Sequence, residues 1–283
     1  MSHGSPSTPA TSVPPPGTPC WVELAAVDEP TARRFYGELF GWDFHVKRDP
    51  VATNRRYTLA LRDGIEVAGL YQAAPGQPTG WSVHLSVVNA ASSVGWVEHL
   101  GGTVRLGPVD IPDRGTVLHA TDPAGTPVVL WQPPEGWSLG SGIPGTLSGV
   151  DLNTPDAEST DGFYRRLFAF TSEQIGRDGI DYAEWRLGPR AVLYRCVLDP
   201  EPGPPTAPHW MTYFAVEPAR GADATAGHAM MLGGDVITEP YDTQSGRTAT
   251  LADPDGALFS VTDHSRPVDL GVGRSEVDDP HGD

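Results

Sequence analysis

Residues 21–27 follow the two-residue apolar/polar period of a half-buried strand. The period then changes: Asp28 can cap a helix, Pro30 fits its first turn, and Phe35, Tyr36, Leu39 and Phe40 recur at helical spacing up to Gly41. Residues 57–61 and 67–71 read as two strands of a hairpin around Arg62-Asp63-Gly64. A strand over 82–88 leads to a helix capped by Asn89 and ended at Gly101, and short apolar runs at 104–106, 117–120 and 128–131 follow. The order is β-α-β-β, twice. A unit of this kind cannot cover both faces of its own sheet, so units must pair.

The pattern then repeats. Gly17-Thr18, Trp21-Val22-Glu23-Leu24, Phe35-Tyr36 and Leu39-Phe40 return 128 residues on as Gly145-Thr146, Gly149-Val150-Asp151-Leu152, Phe163-Tyr164 and Leu167-Phe168. Trp81 to Val87 returns as Trp210 to Val216, and Asp122-Pro123-Ala124-Gly125 as Asp253-Pro254-Asp255-Gly256. Blocks in one order at a nearly constant offset mean tandem modules. They occupy 18–134 and 145–264, joined by a linker at 135–144 that begins after Pro133-Pro134. Residues 1–17 and 265–283 are short of large apolar side chains and are expected to be disordered tails, the second acidic.

Composition narrows the class. Of 283 residues, 33 are Gly and 29 Pro, yet 39% are hydrophobic, so a collagen-like or wholly disordered chain is excluded. A net charge of −17 argues against nucleic acid and anionic membranes as partners, since both need basic patches. No apolar run is long enough to span a bilayer, and the N-terminal segment has neither the basic nor the apolar region of a secretory signal. Cys20 and Cys196 form no disulfide framework or CxxC site. The expectation is a cytoplasmic protein with two reduced thiols. Nucleotide-cradling glycine motifs, GxSxG and HExxH are all missing, so no cofactor is expected.

The segment Phe35-Tyr36-Gly37-Glu38-Leu39-Phe40-Gly41-Trp42, its copy Phe163-Tyr164-Arg165-Arg166-Leu167-Phe168 and the two Asp-Pro-x-Gly turns resemble the vicinal-oxygen-chelate superfamily of glyoxalases, bleomycin-resistance proteins and ring-cleaving dioxygenases. The chain is most similar to two-module actinobacterial members, some of them from antibiotic-biosynthesis clusters. The resemblance implies an α+β fold of tandem modules. Each module would be two βαβββ units whose mixed, curved sheets form half-barrel clefts. It also implies where a metal would be held: Trp21, Ser82 and Val129 in the first module, Gly149, Met211 and Ser260 in the second. None of the six is a competent ligand for Zn²⁺, Fe²⁺ or Mn²⁺. No metal is therefore expected, and Gly149, Ser82 and Ser260 should leave room for an organic ligand.

Side chains two apart on a strand share a face. If the ligand-equivalent positions face the cleft, so do Glu23, Asp151, His84, Tyr213 and Trp131. His84 is the candidate acid or base, with a core histidine as its alternative. Tyr213 could donate to a developing oxyanion, or serve as an aromatic wall. Glu23 and Asp151 could divide acid and base roles, or be strand carboxylates satisfied by an arginine such as Arg186 or Arg195. Trp21, Trp81, Trp131, Trp185 and Trp210 would suit stacking on a flat ligand, or core packing, while Trp42 reads as core. Tyr71 and Tyr194 are placed at matching hairpin positions as phenol donors. The candidate binding set is thus Trp21, Trp81, Ser82, Trp131, Gly149, Tyr194, Trp210, Met211 and Ser260.

The expected function is a metal-independent tailoring protein of secondary metabolism, acting by acid/base chemistry on a bulky aromatic, polyketide-derived molecule. The alternative is a non-catalytic binder that sequesters a drug or delivers an intermediate to a partner oxygenase. A third reading is a metal-dependent lyase using Glu23 or His84. Two modules in one chain make a monomer sufficient and leave a homodimer open.

Overall fold

In the computed structural model, which describes residues 13–48, 56–176, 179–198 and 207–268, each half of the chain builds one eight-stranded mixed sheet. The first half runs β1 (Pro19–Ala26), α1 (Glu29–Phe40), β2 (Asp43–Arg48), β3 (Arg56–Arg62), β4 (Ile65–Gln72), then β5 (Gly80–Ser86), α2 (Ala90–His99), β6 (Thr103–Ile111), β7 (Gly115–Thr121), β8 (Pro127–Gln132). The second runs β9 (Leu147–Thr154), α3 (Ala157–Phe168), β10 (Thr171–Gln174), β11 (Tyr182–Leu187), β12 (Arg190–Val197), then β13 (His209–Ala215), α4 (Gly221–Met231), β14 (Asp235–Thr243), β15 (Gly246–Ala252), β16 (Leu258–Asp263). The spatial orders are β2-β3-β4-β1-β5-β8-β7-β6 and β10-β11-β12-β9-β13-β16-β15-β14. Two βαβββ units therefore meet along an antiparallel seam, β1 against β5 and β9 against β13, flanked by the parallel pairs β1–β4, β5–β8, β9–β12 and β13–β16.

The β-α-β-β reading misses one strand in each first unit. β2 and β10 are edge strands with almost every side chain outside the core, so no apolar period marks them; backbone pairing to β3 and β11 makes them. The first helix ends where expected, at Gly41 with φ 69°, and its copy stops at Ala169, also left-handed at φ 59°. Asp28 caps nothing with its own side chain but accepts from Thr31 Oγ1 at 2.5 Å, whereas Asp156 accepts from the Ser159 amide at 3.0 Å.

The modules dock through one core. Phe35 and Tyr36 of α1 pack edge-on against Phe259 of β16, and Phe40 packs against Phe214 of β13. This contact gives the repeated motifs a shared task. In each Asp-Pro-x-Gly turn the aspartate takes a turn amide, Thr126 N to Asp122 at 2.8 Å and Ala257 N to Asp253 at 2.9 Å. The Tyr36 phenol then donates to Asp253 across the interface at 3.1 Å. Its counterpart Tyr164 faces Asp122, whose charge helps hold the phenol pKa above its usual value.

Trp81 and Trp210 belong to this docking core and not to a cleft, because they have the opposite parity from Ser82 and Met211. Trp81 donates to Tyr36 Oη at 3.0 Å, and Trp210 donates to the Pro127 carbonyl of the other module at 2.8 Å. Trp185 is also core, bonded to Asp161 at 3.0 Å, and Trp42 donates to the Gly145 carbonyl at 2.7 Å. Of the tails expected to be disordered, residues 1–12 and 269–283 lie outside the described residues. Residues 14–17, however, are fastened to β5: Gly17 N donates to Ser86 O and Ser86 Oγ to Pro14 O, each at 2.8 Å. Val268 N likewise reaches Thr243 O at 3.2 Å.

Candidate active site

Each sheet has one face, its cup, turned from its helices, and ladder registers align the two faces residue by residue. Trp21 stands opposite His84 as Gly149 stands opposite Tyr213. His84 neighbours Val129 as Tyr213 neighbours Ser260, and Trp131 corresponds to Thr262. Glu23, Gly69 and Leu59 form one row whose copy is Asp151, Tyr194 and Glu184. Two residues before Leu59 and Glu184 lie Tyr57 and Tyr182.

The first cup is filled. Trp21 and Trp131, 2% and 3% exposed, meet Trp137 with ring centroids 5.4 and 4.9 Å away. Trp137 comes from the linker, which is more than a connector: its indole donates to the Cys20 carbonyl at 3.0 Å. Arg114 lies over Trp137 and Trp21, 4.8 and 5.2 Å from their centroids, and is held by Glu66 at 2.6 Å. Glu23 accepts from the Tyr57 phenol at 2.7 Å. His84 is 5% exposed beneath Trp131, and Nε2 has no partner among the described residues. Burial, with help from His119 and Arg114, pushes its pKa down to about 3. A histidine that stays neutral at physiological pH cannot shuttle a proton there, so the acid/base role expected of His84 does not fit this face.

Among the described residues the second cup has no counterpart of the three indoles Trp21, Trp131 and Trp137. Gly149 has no side chain, and Ser260, Thr262, Thr250 and Thr248 replace the apolar wall. At its floor Asp151 is 6% exposed, and two phenols donate to the same oxygen, Oδ2: Tyr213 at 2.8 Å and Tyr182 at 3.1 Å. Among the described residues none donates to Oδ1. Burial raises the Asp151 pKa from 3.8 to about 6, with the two phenol bonds opposing the rise. The group is thus mostly a carboxylate at pH 7 and can still take a proton.

Tyr194 stands beside Asp151 as Gly69 stands beside Glu23, so it matches Gly69 and not Tyr71, whose counterpart is Cys196. Its ring lies parallel to that of Tyr182, at 5.7 Å and 7°. Glu184, paired with Arg186, lies next to it, and Tyr241 is exposed at the rim within reach of the Asp151 charge. Met211 completes the floor opposite Asp151. The sequence reading therefore finds Asp151, Tyr213, Tyr194, Gly149, Met211 and Ser260 in one place. The structure separates them from Glu23, His84, Trp21, Ser82 and Trp131, which line the other cup, and the sequence reading misses Tyr182, Glu184, Tyr241, Arg114 and Trp137. A Tyr-carboxylate pair recurring as Tyr57–Glu23 and Tyr182–Asp151 would have flagged Tyr182, but a changed offset between the copies hides it.

The donor set does not suit a metal. Glycine, a thioether and a hydroxyl at 149, 211 and 260 lack the imidazole and carboxylate donors that a hard cation needs. Among the described residues no three His, Cys, Asp or Glu side chains gather elsewhere to hold one. Two depressions, of about 210 and 590 Å³, open away from both cups. Their charges are largely paired internally, Arg62 with Glu217 and Arg247 with Asp223 and Asp242, so the chemistry stays with the second cup. No helix among the described residues is long and apolar enough to cross a membrane.

Comparison with known proteins agrees with the architecture. No family model matches the chain. It is 36% identical over 254 residues to CFP32 of Mycobacterium tuberculosis, a protein named as a glyoxylase, covering 87% of this chain and 94% of that protein. It is 32% identical over 265 residues to DauV of Streptomyces sp. strain C5, named as an anthracycline biosynthesis protein, with 88% and 94% covered. Among solved structures, the Mn(II)-bound glyoxalase from Novosphingobium aromaticivorans aligns with a TM-score of 0.63 at 17% identity over 90% of this chain and 84% of its own. The catechol dioxygenase BphC gives 0.63 at 14%, covering 90% and 89%. At such identities the likeness is of fold.

Proposed function

The chain belongs to the vicinal-oxygen-chelate superfamily, in its two-module form, and from that premise we propose that it is a tailoring enzyme of antibiotic biosynthesis that moves a proton on a flat aromatic molecule held in the second cup. The observation that carries this reading is Asp151: a buried carboxyl with a pKa near neutrality, both phenols on one oxygen and, among the described residues, no donor on the other. Similarity to DauV supports the metabolic setting, and Tyr182, Tyr194 and Tyr241 supply aromatic surface for a planar ligand.

The reaction is an isomerisation or cyclisation. Oδ1 of Asp151 takes a proton from a carbon or hydroxyl conjugated to a carbonyl, leaving an enolate, and the neutral carboxyl returns it to another atom. Bonds to hydrogen are exchanged in equal number, so no oxidant or reductant is consumed. As Oδ1 is protonated, the phenols on Oδ2 hold the carboxyl in place.

The test is Asp151→Asn, with aromatic polyketides of the anthracycline class as substrates followed by mass spectrometry and isomer-resolving chromatography. Turnover should fall by roughly 10²–10⁴-fold, the usual worth of a positioned general base. Unchanged turnover overturns the assignment. Tight binding to the unaltered protein with mass and isomer composition preserved assigns the cup to carriage instead, as for a protein that delivers its ligand to an oxygenase.

A further inference from the structure

Hydrogen-bond accounting in the second cup points to the polarity of its ligand. A phenol has one proton to give, and those of Tyr182 and Tyr213 are both committed to Asp151 Oδ2. The Ser260 and Thr250 hydroxyls bond each other at 3.0 Å. The Arg186 guanidinium is engaged by Glu184 and the Pro189 carbonyl. The Ser260–Thr250 pair keeps one O–H, and the Tyr194 phenol bonds Glu184; at the floor itself, beside Asp151, what remains is acceptor capacity, Oδ1 and the phenol lone pairs. The exposed rim phenol of Tyr241 stands outside that count.

A buried acceptor left without a donor costs about 1–3 kcal/mol, so ligands that satisfy it are selected over isosteres that do not. We infer that the cup recognises a ring through an O–H donor on its edge, a phenol or enol hydroxyl delivered to Asp151 Oδ1, and discriminates against the corresponding ether or unsubstituted ring. Tyr213 then acts as a positioning residue that spends its proton on the carboxylate, in place of the oxyanion donor expected from sequence. The inference rests on the second cup being the aromatic site and adds the chemical class of what enters it.

The pair naphthalene-2,6-diol and 2,6-dimethoxynaphthalene separates the two ideas, because both are flat, neutral at pH 7 and of similar apolar area. Titration calorimetry of the full-length protein should give a dissociation constant at least about tenfold lower for the diol, the worth of one satisfied buried acceptor. In Asp151→Asn, whose amide NH₂ can donate, the gap should close or reverse. Equal affinities for the two in the unaltered protein, or tighter binding of the ether, overturn the donor rule and leave the aromatic site standing. Binding of neither overturns both. The comparison on the unaltered protein is decisive even if the variant does not fold.

Discussion

Corresponding ladder positions of the two modules carry opposite chemistry. Module 1 places Trp21, Val129 and Trp131 where module 2 has Gly149, Ser260 and Thr262, and Leu59 and Gly69 where module 2 has Glu184 and Tyr194. The backbone registers agree, so the fold does not decide which cup is open; side-chain volume does. One feature survives in both, a tyrosine donating to a strand carboxylate, Tyr57 to Glu23 and Tyr182 to Asp151. In module 1 that pair lies behind indoles, and Trp21 Nε1 donates to Tyr57 Oη at 2.9 Å. In module 2 the same pair takes a second phenol, Tyr213, on Asp151 Oδ2 at 2.8 Å. The duplicated halves thus differ in what lines the same face: three indoles in the first, and hydroxyls, a carboxylate and phenols in the second.

The sharpest way to break this comparison is to give module 2 the plug of module 1. A Cβ at Gly149 would meet Tyr213 Cβ at 3.6 Å, an ordinary contact, so the backbone tolerates a side chain there. Gly149→Trp should leave the protein folded while its indole occupies the ligand's place, weakening diol binding by roughly a hundredfold or more, or about 3 kcal/mol. Calorimetry beside circular dichroism checks it. Folded protein with undiminished affinity would put the ligand somewhere other than the second cup.

Opening module 1 is the converse and acts on stability. Trp137→Ala removes an indole packed against Trp21, Trp131 and Arg114. The expected loss is about 3 kcal/mol, the low end for a large aromatic because one edge of the ring meets solvent. An apolar hole of that size takes up small aromatics, so millimolar indole should restore part of the urea midpoint in the variant and none in the unaltered protein. A variant as stable as its parent would mean that the linker indole does not fill the first cup.

How much of this could be read in the chain depends on the scale of the feature. The tandem repeat, the two-unit modules and the helix ends were legible, because Phe35-Tyr36 and the Asp-Pro-x-Gly turns recur and each has a packing task. The edge strands β2 and β10 were not, since backbone pairing alone makes them. Strand parity located Asp151 and Tyr213 together, yet it could not tell the filled cup from the open one. That difference depends on Trp137, which lies in the linker and reaches the cup only through the chain's path in space. Parity also assigned His84 and Tyr213 the same standing. The structure separates them by surroundings: indoles around the first, a carboxylate beside the second.

The effect most specific to Asp151 is a pH dependence of stability, full only above about pH 7 and fading to little at about pH 4. Its folded pKa of about 6 lies above the ordinary 3.8, so the fold prefers the neutral acid. Below about pH 3 the group is largely protonated in both folded and unfolded chains and costs almost nothing. As pH rises from 4 through 6 the unfolded chain ionises freely while the folded one resists, and the accumulated penalty approaches about 3 kcal/mol above pH 7. Asp151→Asn cannot ionise and its amide oxygen can still accept from the phenols, so the variant should match the parent at pH 4 and exceed it in stability at pH 7.5. Asp122 and Asp253 are also raised by burial, but they are present in both proteins and cancel in the difference. Urea denaturation of the pair at pH 4, 5, 6 and 7.5 measures the gap. A gap that stays flat across that range would mean that Asp151 titrates like an ordinary carboxyl, and the second cup would then lose the near-neutral base that sets it apart from the first.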